Sequence, residues 1–160
     1  GVLFSGTIDS NIRYGKPEIT DAQVKEAAEV AQATEFIDTK PEKYESPVSQ
    51  GGTNVSGGQK QRLSIARAIA KDPEIFIFDD SFSALDFKTD SQLRKALKEY
   101  TKDATTVIVA QRISTILGAD QIIVLDDGHM AGIGTHKELM ANCEVYQQIA
   151  RSQLSEEELA

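Results

Sequence analysis

The chain has 160 residues, of which 40% are hydrophobic and 26% are charged, and its formal net charge at pH 7 is −8. This length and composition are typical of one globular domain, or of a core with a small subdomain, and the sequence has no run of about 18 apolar residues that could span a membrane. The negative charge argues against a surface that binds nucleic acid non-specifically, and a single cysteine, Cys143, excludes an intramolecular disulfide.

The first 55 residues are predicted to be mainly helical. Thr20-Asp21-Ala22-Gln23 has the form of a capping box, and the good helix formers that follow it carry apolar residues at helical spacing. We expect this helix to end at Lys40 and Pro41, because proline cannot continue a helix. A loop that contains Gly51 and Gly52 should follow.

Residues 56–150 are predicted to alternate between helix and strand. Apolar spacing indicates a helix from Ser56 to about Ala70, and the apolar run Glu74–Asp79 indicates a parallel strand covered on both faces. Beyond it we expect a helix at 89–100, buried strands at 105–110 and 121–125, a hairpin turn at 126–128, a strand at 130–133, and helices at 136–141 and 144–153. This alternation predicts an α/β fold with a parallel core.

The residues with the clearest chemistry lie between Val55 and Asp86. The glycine-rich turn Ser56-Gly57-Gly58-Gln59 opens a helix, and the free N–H groups at a helix N-terminus can bind an anion. About twenty residues later an apolar strand ends in Asp79 and Asp80, carboxylates of the kind that hold Mg²⁺. In order and spacing, these segments and Ser83-Ala84-Leu85-Asp86 resemble the signature motif, the Walker B strand and the D-loop of ATP-binding cassette (ABC) proteins.

This resemblance implies a partial P-loop NTPase core with parallel strands plus a helical subdomain, and ATP and Mg²⁺ as cofactors. By the resemblance, residues 1–55 would belong to the helical subdomain, residues 56–150 to the ATPase core, and 151–160 to an acidic tail. Ser56-Gly57-Gly58-Gln59 would contact the γ-phosphate of ATP held by a second ABC subunit in a head-to-tail dimer. Asp79 would face Mg²⁺ or a metal-bound water, and Asp86 would contact the opposing subunit.

Two further segments, 1–12 and 133–140, resemble multidrug-type exporters. They imply transmembrane domains as partners and a parent transporter whose ATP-binding part lies at the cytoplasmic face of the cell membrane. The phosphate-loop pattern G-x-x-x-x-G-K-[ST] does not occur in the 160 residues, and no glutamine is placed as a Q-loop. We therefore expect a C-terminal fragment that lacks its own nucleotide site, and whose exposed sheet edge favours self-association.

Two residues depart from the pattern of the family. Asp80 stands where ABC ATPases usually carry the glutamate that polarises the attacking water, and Gln111 stands where they carry the switch histidine. Aspartate is one methylene shorter than glutamate, and a catalytic group misplaced by about 1 Å can cost roughly 100-fold in rate. An amide, unlike imidazole, does not change its charge near neutral pH. With the signature intact, this pattern resembles the degenerate-site subunit of a heterodimeric exporter.

The sequence leaves three interpretations of function. The first is an ATP-binding and ATP-hydrolysing subunit that couples ATP to export and supplies the signature motif to its partner. The second is a non-hydrolysing structural or regulatory dimer partner, which Asp80 and Gln111 would suit. The third is a chromosome-maintenance or repair ATPase, but such proteins insert long coiled coils and no heptad run is present here.

Overall fold

The computed structural model of the chain describes residues 1–155. The chain divides into two compact units, Gly1–Val107 and Ile108–Ala160. The division near residue 55 into a helical subdomain and an ATPase core stays a prediction. Half of the predicted acidic tail 151–160, namely residues 156–160, lies outside the described residues.

The first part of the first unit is mainly helical. It contains α1 (Ile8–Ile12), α2 (Asp21–Val30), α3 (Thr34–Asp38), 3-10 turns at Lys43–Glu45 and Gln50–Gly52, and an antiparallel pairing of β1 (Gly6–Thr7) with β2 (Pro47–Val48). The predicted capping box is confirmed, since Thr20 Oγ1 accepts a hydrogen bond from Gln23 N at 3.3 Å. The prediction of one helix up to Lys40 is wrong, because Gln32 adopts a left-handed conformation (φ 56°) that separates α2 from α3.

Helix α4 (Gly57–Ala70) packs against α1 and α2. Its buried residues are those that the apolar spacing predicts: Leu63, Ile65, Ala66, Ile69 and Ala70. Close to this face, the Arg67 guanidinium donates from Nε to the Asn11 carbonyl at 2.9 Å and lies over the rings of Phe4 and Tyr14. Burial lowers the pKa of Arg67, and these contacts replace part of its lost hydration. They fix α4 to the N-terminal segment.

Strand β3 (Ile75–Asp79) and strand β4 (Thr105–Val109) pair with each other, and α5 (Phe87–Tyr100) connects them. Thr105 N donates to the Glu74 carbonyl at 2.9 Å, so the two parallel strands begin side by side. The prediction that α5 begins at residue 89 is two residues late. Asp86 is its N-cap and accepts a hydrogen bond from the Thr89 N–H at 3.0 Å.

The prediction that β3 is covered on both faces is wrong. Phe76 and Phe78 are buried, whereas Ile75 and Ile77 are 59% and 71% exposed. Aromatic side chains cover the phenylalanine face: Phe76 meets Tyr100 edge-on and Phe78 contacts Phe82. Likewise, the predicted buried strand at 105–110 is largely exposed at Val107 and Val109. Within residues 1–155, each strand of this pair therefore packs less completely than its apolar sequence suggests.

The second unit contains α6 (Ile113–Ile116), β5 (Ile122–Asp126), β6 (His129–Gly134), α7 (His136–Asn142) and α8 (Glu144–Gln153). The predicted hairpin is confirmed: β5 pairs antiparallel with β6, and Asp127 and Gly128 between them both have positive φ. The strand predicted at 121–125 is buried on one face only, since Ile123 and Leu125 are exposed. Its other face joins a core of Ile113, Ile122, Val124, Leu139, Cys143, Tyr146, Ala150 and Leu154.

Candidate functional site

The predicted signature turn forms the N-terminus of α4. Ser56 is its N-cap: Ser56 Oγ accepts from Gln59 N at 3.2 Å, and Gln59 Oε1 accepts from Ser56 N at 3.1 Å. A serine hydroxyl that accepts one hydrogen bond can still donate its own hydrogen. Capping and anion binding are therefore compatible roles for Ser56, and the reciprocal bonds hold its hydroxyl at the mouth of the helix.

The two signature glycines lie against the predicted D-loop. A Cβ on Gly58 would stand 3.1 Å from the Ala84 carbonyl oxygen, and one on Gly57 would stand 3.4 Å from the Ala84 Cβ. The first distance is shorter than an ordinary contact with an oxygen, whereas the second is ordinary van der Waals contact. The absence of a side chain at Gly58 thus lets the helix mouth approach the backbone of residue 84 closely.

A side chain that sequence reasoning missed joins the same two segments. Gln61 Nε2 donates to the Asp80 carbonyl at 3.2 Å and to Ser83 Oγ at 3.1 Å, and Gln61 Oε1 accepts from Ala84 N at 3.0 Å. A signal for it exists in the sequence, because Gln61 follows Gly57 by four residues and so lies one helical turn further along the same face.

These segments line a cleft of about 440 Å³. Its walls are formed by Ser56, Gly57, Gly58, Arg62, Ala84, Leu85, Asp86 and Thr89. The structure therefore brings the predicted signature residues together with the predicted D-loop residue Asp86. A hydrogen bond from Thr89 Oγ1, with a second from the Thr89 N–H, lowers the pKa of Asp86, which favours its ionised form.

Arg62 supplies a positive charge to this cleft, although the sequence alone leaves it between a solvated helix face and an interface. Its Nη1 donates to the Gln32 carbonyl at 2.7 Å, and its guanidinium lies 4.8 Å from the centre of the Phe36 ring. Burial lowers the pKa of Arg62, and the nearby charge of Asp86 partly opposes this effect. The guanidinium still carries its charge at neutral pH, because arginine deprotonates only far above it.

The two carboxylates at the end of β3 are exposed. Asp80 has a left-handed backbone (φ 46°), which aspartate tolerates better than most residues. No cluster of three or more histidine, cysteine or acidic residues within 1–155 could hold a metal by itself. Mg²⁺ in nucleotide sites typically uses one or two protein carboxylates together with phosphate oxygens. Asp79 and Asp80 fit that kind of site.

Gln111 lies in the second unit, two residues after the end of β4, and is exposed. Gln153 at the end of α8 holds its backbone: Gln153 Nε2 donates to the Gln111 carbonyl at 2.8 Å, and Gln153 Oε1 accepts from Ile113 N at 2.9 Å. The structure thus fixes the main chain of the predicted switch position through a residue that sequence reasoning did not single out.

The protein-family model described as ABC transporter matches residues 3–83 of this chain. The chain belongs to the ABC transporter family. Its fold is that of the ABC ATPases: it aligns over 98% of its length with a solved bacterial Atm1-family ABC exporter with ATP bound, at a TM-score of 0.91 and 37% identity, and covers 27% of that chain. The predicted α/β fold and the resemblance to the family are confirmed.

Two curated relatives are also similar in sequence to this chain. A protein named as an ABC transporter ATP-binding protein of Mycobacterium tuberculosis is 47% identical over 94% of this chain. A protein named as a multidrug export ATP-binding/permease protein of Staphylococcus aureus is 47% identical over 92% of it. The chain spans about a quarter of these relatives, 26% in each case. Among residues 1–155, no helix is both long enough and apolar enough to cross a membrane.

Proposed function

We propose that this ABC family member is an ATP-binding part of a membrane exporter and that it supplies its signature turn to the ATP site of a partner subunit. The observation that carries the proposal is the close packing of Gly57 and Gly58 on Ala84, which presents Ser56 and Asp86 on one cleft. The exporter names of the relatives and the ATP-bound exporter support it. The ATP-binding part would lie at the cytoplasmic face of the membrane, beside transmembrane partner domains.

In this proposal Ser56, Asp86 and Asp79 each have a chemical task. The Ser56 hydroxyl and the N–H groups at the start of α4 donate to the γ-phosphate, where the positive end of the helix dipole favours negative charge. Asp86 meets the opposing subunit. Asp79 helps to hold Mg²⁺, which when bound neutralises charge on the phosphate oxygens.

The signature role predicts that a negative charge at the helix mouth abolishes turnover. Ser56→Glu in the assembled transporter should lower ATP turnover by about 100-fold or more, since it replaces a hydroxyl donor by a charge that repels phosphate. Ser91→Glu, an exposed serine on α5, is the matched control and should leave turnover unchanged. Equal turnover of the Ser56 variant and the wild type would contradict the supply of the signature in trans.

We further propose that the site on this subunit's own side hydrolyses ATP slowly. Asp80 and Gln111 would both act there, and each is weaker than its counterpart in the family pattern: a shorter carboxylate and an amide that does not change charge. Asp80→Glu together with Gln111→His in the assembled transporter should therefore raise turnover at this site. If the pair changed neither turnover nor nucleotide retention, the proposal of a degenerate site would be contradicted.

A further inference from the structure

Gln61 uses both polar atoms of its side chain to hold residues that come after β3. The amide nitrogen donates to the Asp80 carbonyl at 3.2 Å and to Ser83 Oγ at 3.1 Å, while the amide oxygen accepts from Ala84 N at 3.0 Å. Gln61 is half-buried and rises from the second turn of α4. A planar amide that makes three bonds has little freedom to move, so it fixes the distance between helix and loop.

The groups that Gln61 holds are the ones that position the candidate site. Asp80 has a left-handed backbone, a conformation that persists when surrounding contacts determine it. Ala84 is the residue on which Gly57 and Gly58 pack. A single side chain therefore links the signature helix, the D-loop and the backbone from which the Asp80 carboxylate projects.

We infer that Gln61 is a positioning residue that holds the signature turn, the D-loop and Asp80 as one rigid unit. The inference rests on the proposed function, in which Ser56 serves the partner's ATP site while Asp80 serves the subunit's own. A displacement at one site is then transmitted to the other through the Gln61 amide. Gln61 acts through the main chain of residues 80 and 84 and through the Ser83 hydroxyl.

The chemistry of the three bonds requires glutamine. Methionine has a similar length but neither an N–H donor nor a strong acceptor, so Gln61→Met removes all three bonds with little change in volume. Glutamate keeps the acceptor for Ala84 N but turns a carboxylate oxygen toward the Asp80 carbonyl, so Gln61→Glu breaks only the donor side. The two variants separate the hydrogen bond from Ala84 N from the hydrogen bonds to the Asp80 carbonyl and Ser83 Oγ.

The test uses the assembled full-length transporter, with two readouts. Hydrogen exchange in the peptide that covers residues 80–86 measures the link directly, and steady-state ATP turnover measures its consequence. We expect Gln61→Met to speed exchange in this peptide and to lower kcat by about 10-fold with KM for ATP unchanged, because displacement of about 1 Å costs up to 100-fold. Gln61→Glu should also speed exchange in the peptide and lower kcat. The Ala84 amide should, however, exchange more slowly than in Gln61→Met, because glutamate keeps the acceptor for Ala84 N. Gln92→Met, an exposed glutamine on α5, should change neither readout.

Unchanged exchange in residues 80–86 of both Gln61 variants would overturn the inference, whatever the turnover. Faster exchange with unchanged kcat would also overturn it, because the link would then have no role in positioning. A fall in thermal stability that accounts for the loss of kcat, matched by a rise in KM, would mark Gln61 as merely structural. If the wild-type transporter hydrolyses no ATP, the proposed function fails; the link between α4 and residues 80–84 is then decided by exchange alone.

Discussion

The two units hold their candidate loops by different means. In the first unit, residues 80–86 are held by the close approach of Gly58, by the Gln61 amide and by the cap at Asp86. In the second unit, the loop at Gln111 is held by the amide of Gln153. Both arrangements use a helix-borne glutamine that donates to a carbonyl and accepts from a backbone N–H. They differ in how much else is fixed around it.

The same contacts bear on Asp80 and Gln111, the two positions predicted to depart from the pattern of the family. Gln61 holds the carbonyl of Asp80, and Gln153 holds the carbonyl of Gln111, so in both units the contact is to the main chain. The side chains of Asp80 and Gln111 are exposed, and these hydrogen bonds from Gln61 and Gln153 do not involve them. Substitution at Gln111 can therefore alter chemistry without loss of the local fold, whereas Asp80 is restricted by its left-handed backbone and Gly58 by a neighbouring backbone oxygen.

The largest effect should come from a side chain at the helix mouth. Gly58→Ala brings a methyl group to 3.1 Å from the Ala84 carbonyl oxygen and should destabilise the first unit by about 1–3 kcal/mol through overpacking. Gly57→Ala meets ordinary contact at 3.4 Å and should be neutral or slightly stabilising, because alanine is the better helix former. Urea unfolding of both variants measures the difference; equal stabilities would contradict the tight fit at residue 84.

Replacement of Arg62 tests whether its contribution to stability comes from the geometry of the guanidinium or from its charge alone. Arg62→Lys keeps the charge but loses the planar contact with Phe36 and the bond to the Gln32 carbonyl, and should cost about 1–2 kcal/mol. Arg151→Lys in the second unit changes an exposed arginine and should stay within about 0.5 kcal/mol of the wild type. If Arg62→Lys left the stability unchanged, only the positive charge at this position would matter.

Loss of the Gln153 hydrogen bonds in the second unit should have a smaller effect on stability. Gln153→Met removes both of its hydrogen bonds, and because these lie near solvent the loss of stability should be at most about 1 kcal/mol. Amide exchange at Ile113 should nevertheless become faster, while Gln148→Met, an exposed position on the same helix, should leave it unchanged. Unaltered exchange at Ile113 would remove the parallel between the two glutamines.

The smallest effect concerns two helix caps, one in each unit. The largest cause of the lowered pKa of Asp86 is the Thr89 hydroxyl, whereas for Glu138 it is the backbone N–H of Thr135. Thr89→Val should therefore raise the pKa of Asp86 toward its ordinary value of 3.8 by more than Thr135→Val raises that of Glu138. Carboxyl NMR titration measures both shifts, and the opposite order would contradict the assignment of causes.

The sign of the pH dependence follows from these lowered values. A carboxyl whose pKa is lower in the folded state stabilises the fold above its unfolded pKa, and this stability is lost as the pH falls through the folded pKa. Thr89→Val should thus reduce stability at neutral pH and flatten the acid side of the stability profile. An unchanged profile would mean that the hydroxyl contributes nothing to the ionised form.

Much of the fold could be predicted because local patterns determine it. The apolar spacing of α4 identifies its buried face, the capping box at Thr20 marks the start of α2, and Asp127-Gly128 marks the hairpin turn. Each of these depends on residues a few positions apart. The predicted signature and D-loop rest on a resemblance in order and spacing, and the structure brings their residues Ser56, Gly58 and Asp86 to one cleft.

The errors share a different cause, which is that burial and side-chain partners depend on distant residues. The apolar residues of β3 are typical of a strand covered on both faces. Ile75 and Ile77 are nevertheless exposed, because the described helices and aromatic side chains cover only the other face. Gln32 has no turn signature, and its left-handed conformation separates two helices that the composition would join. In the sequence, Gln61 has the pattern of an ordinary polar helix residue. Its contacts with the loop after β3 are visible only in the structure.

Calorimetric titration of this 160-residue chain with Mg-ATP tests the central claim most directly. Because the phosphate-loop pattern does not occur in these 160 residues, we expect no detectable binding by the chain alone. A cooperative thermal transition in the same sample establishes that the protein is folded. Stoichiometric binding with micromolar affinity would contradict the account, because it would require a complete nucleotide site within the chain rather than a surface that completes a partner's site.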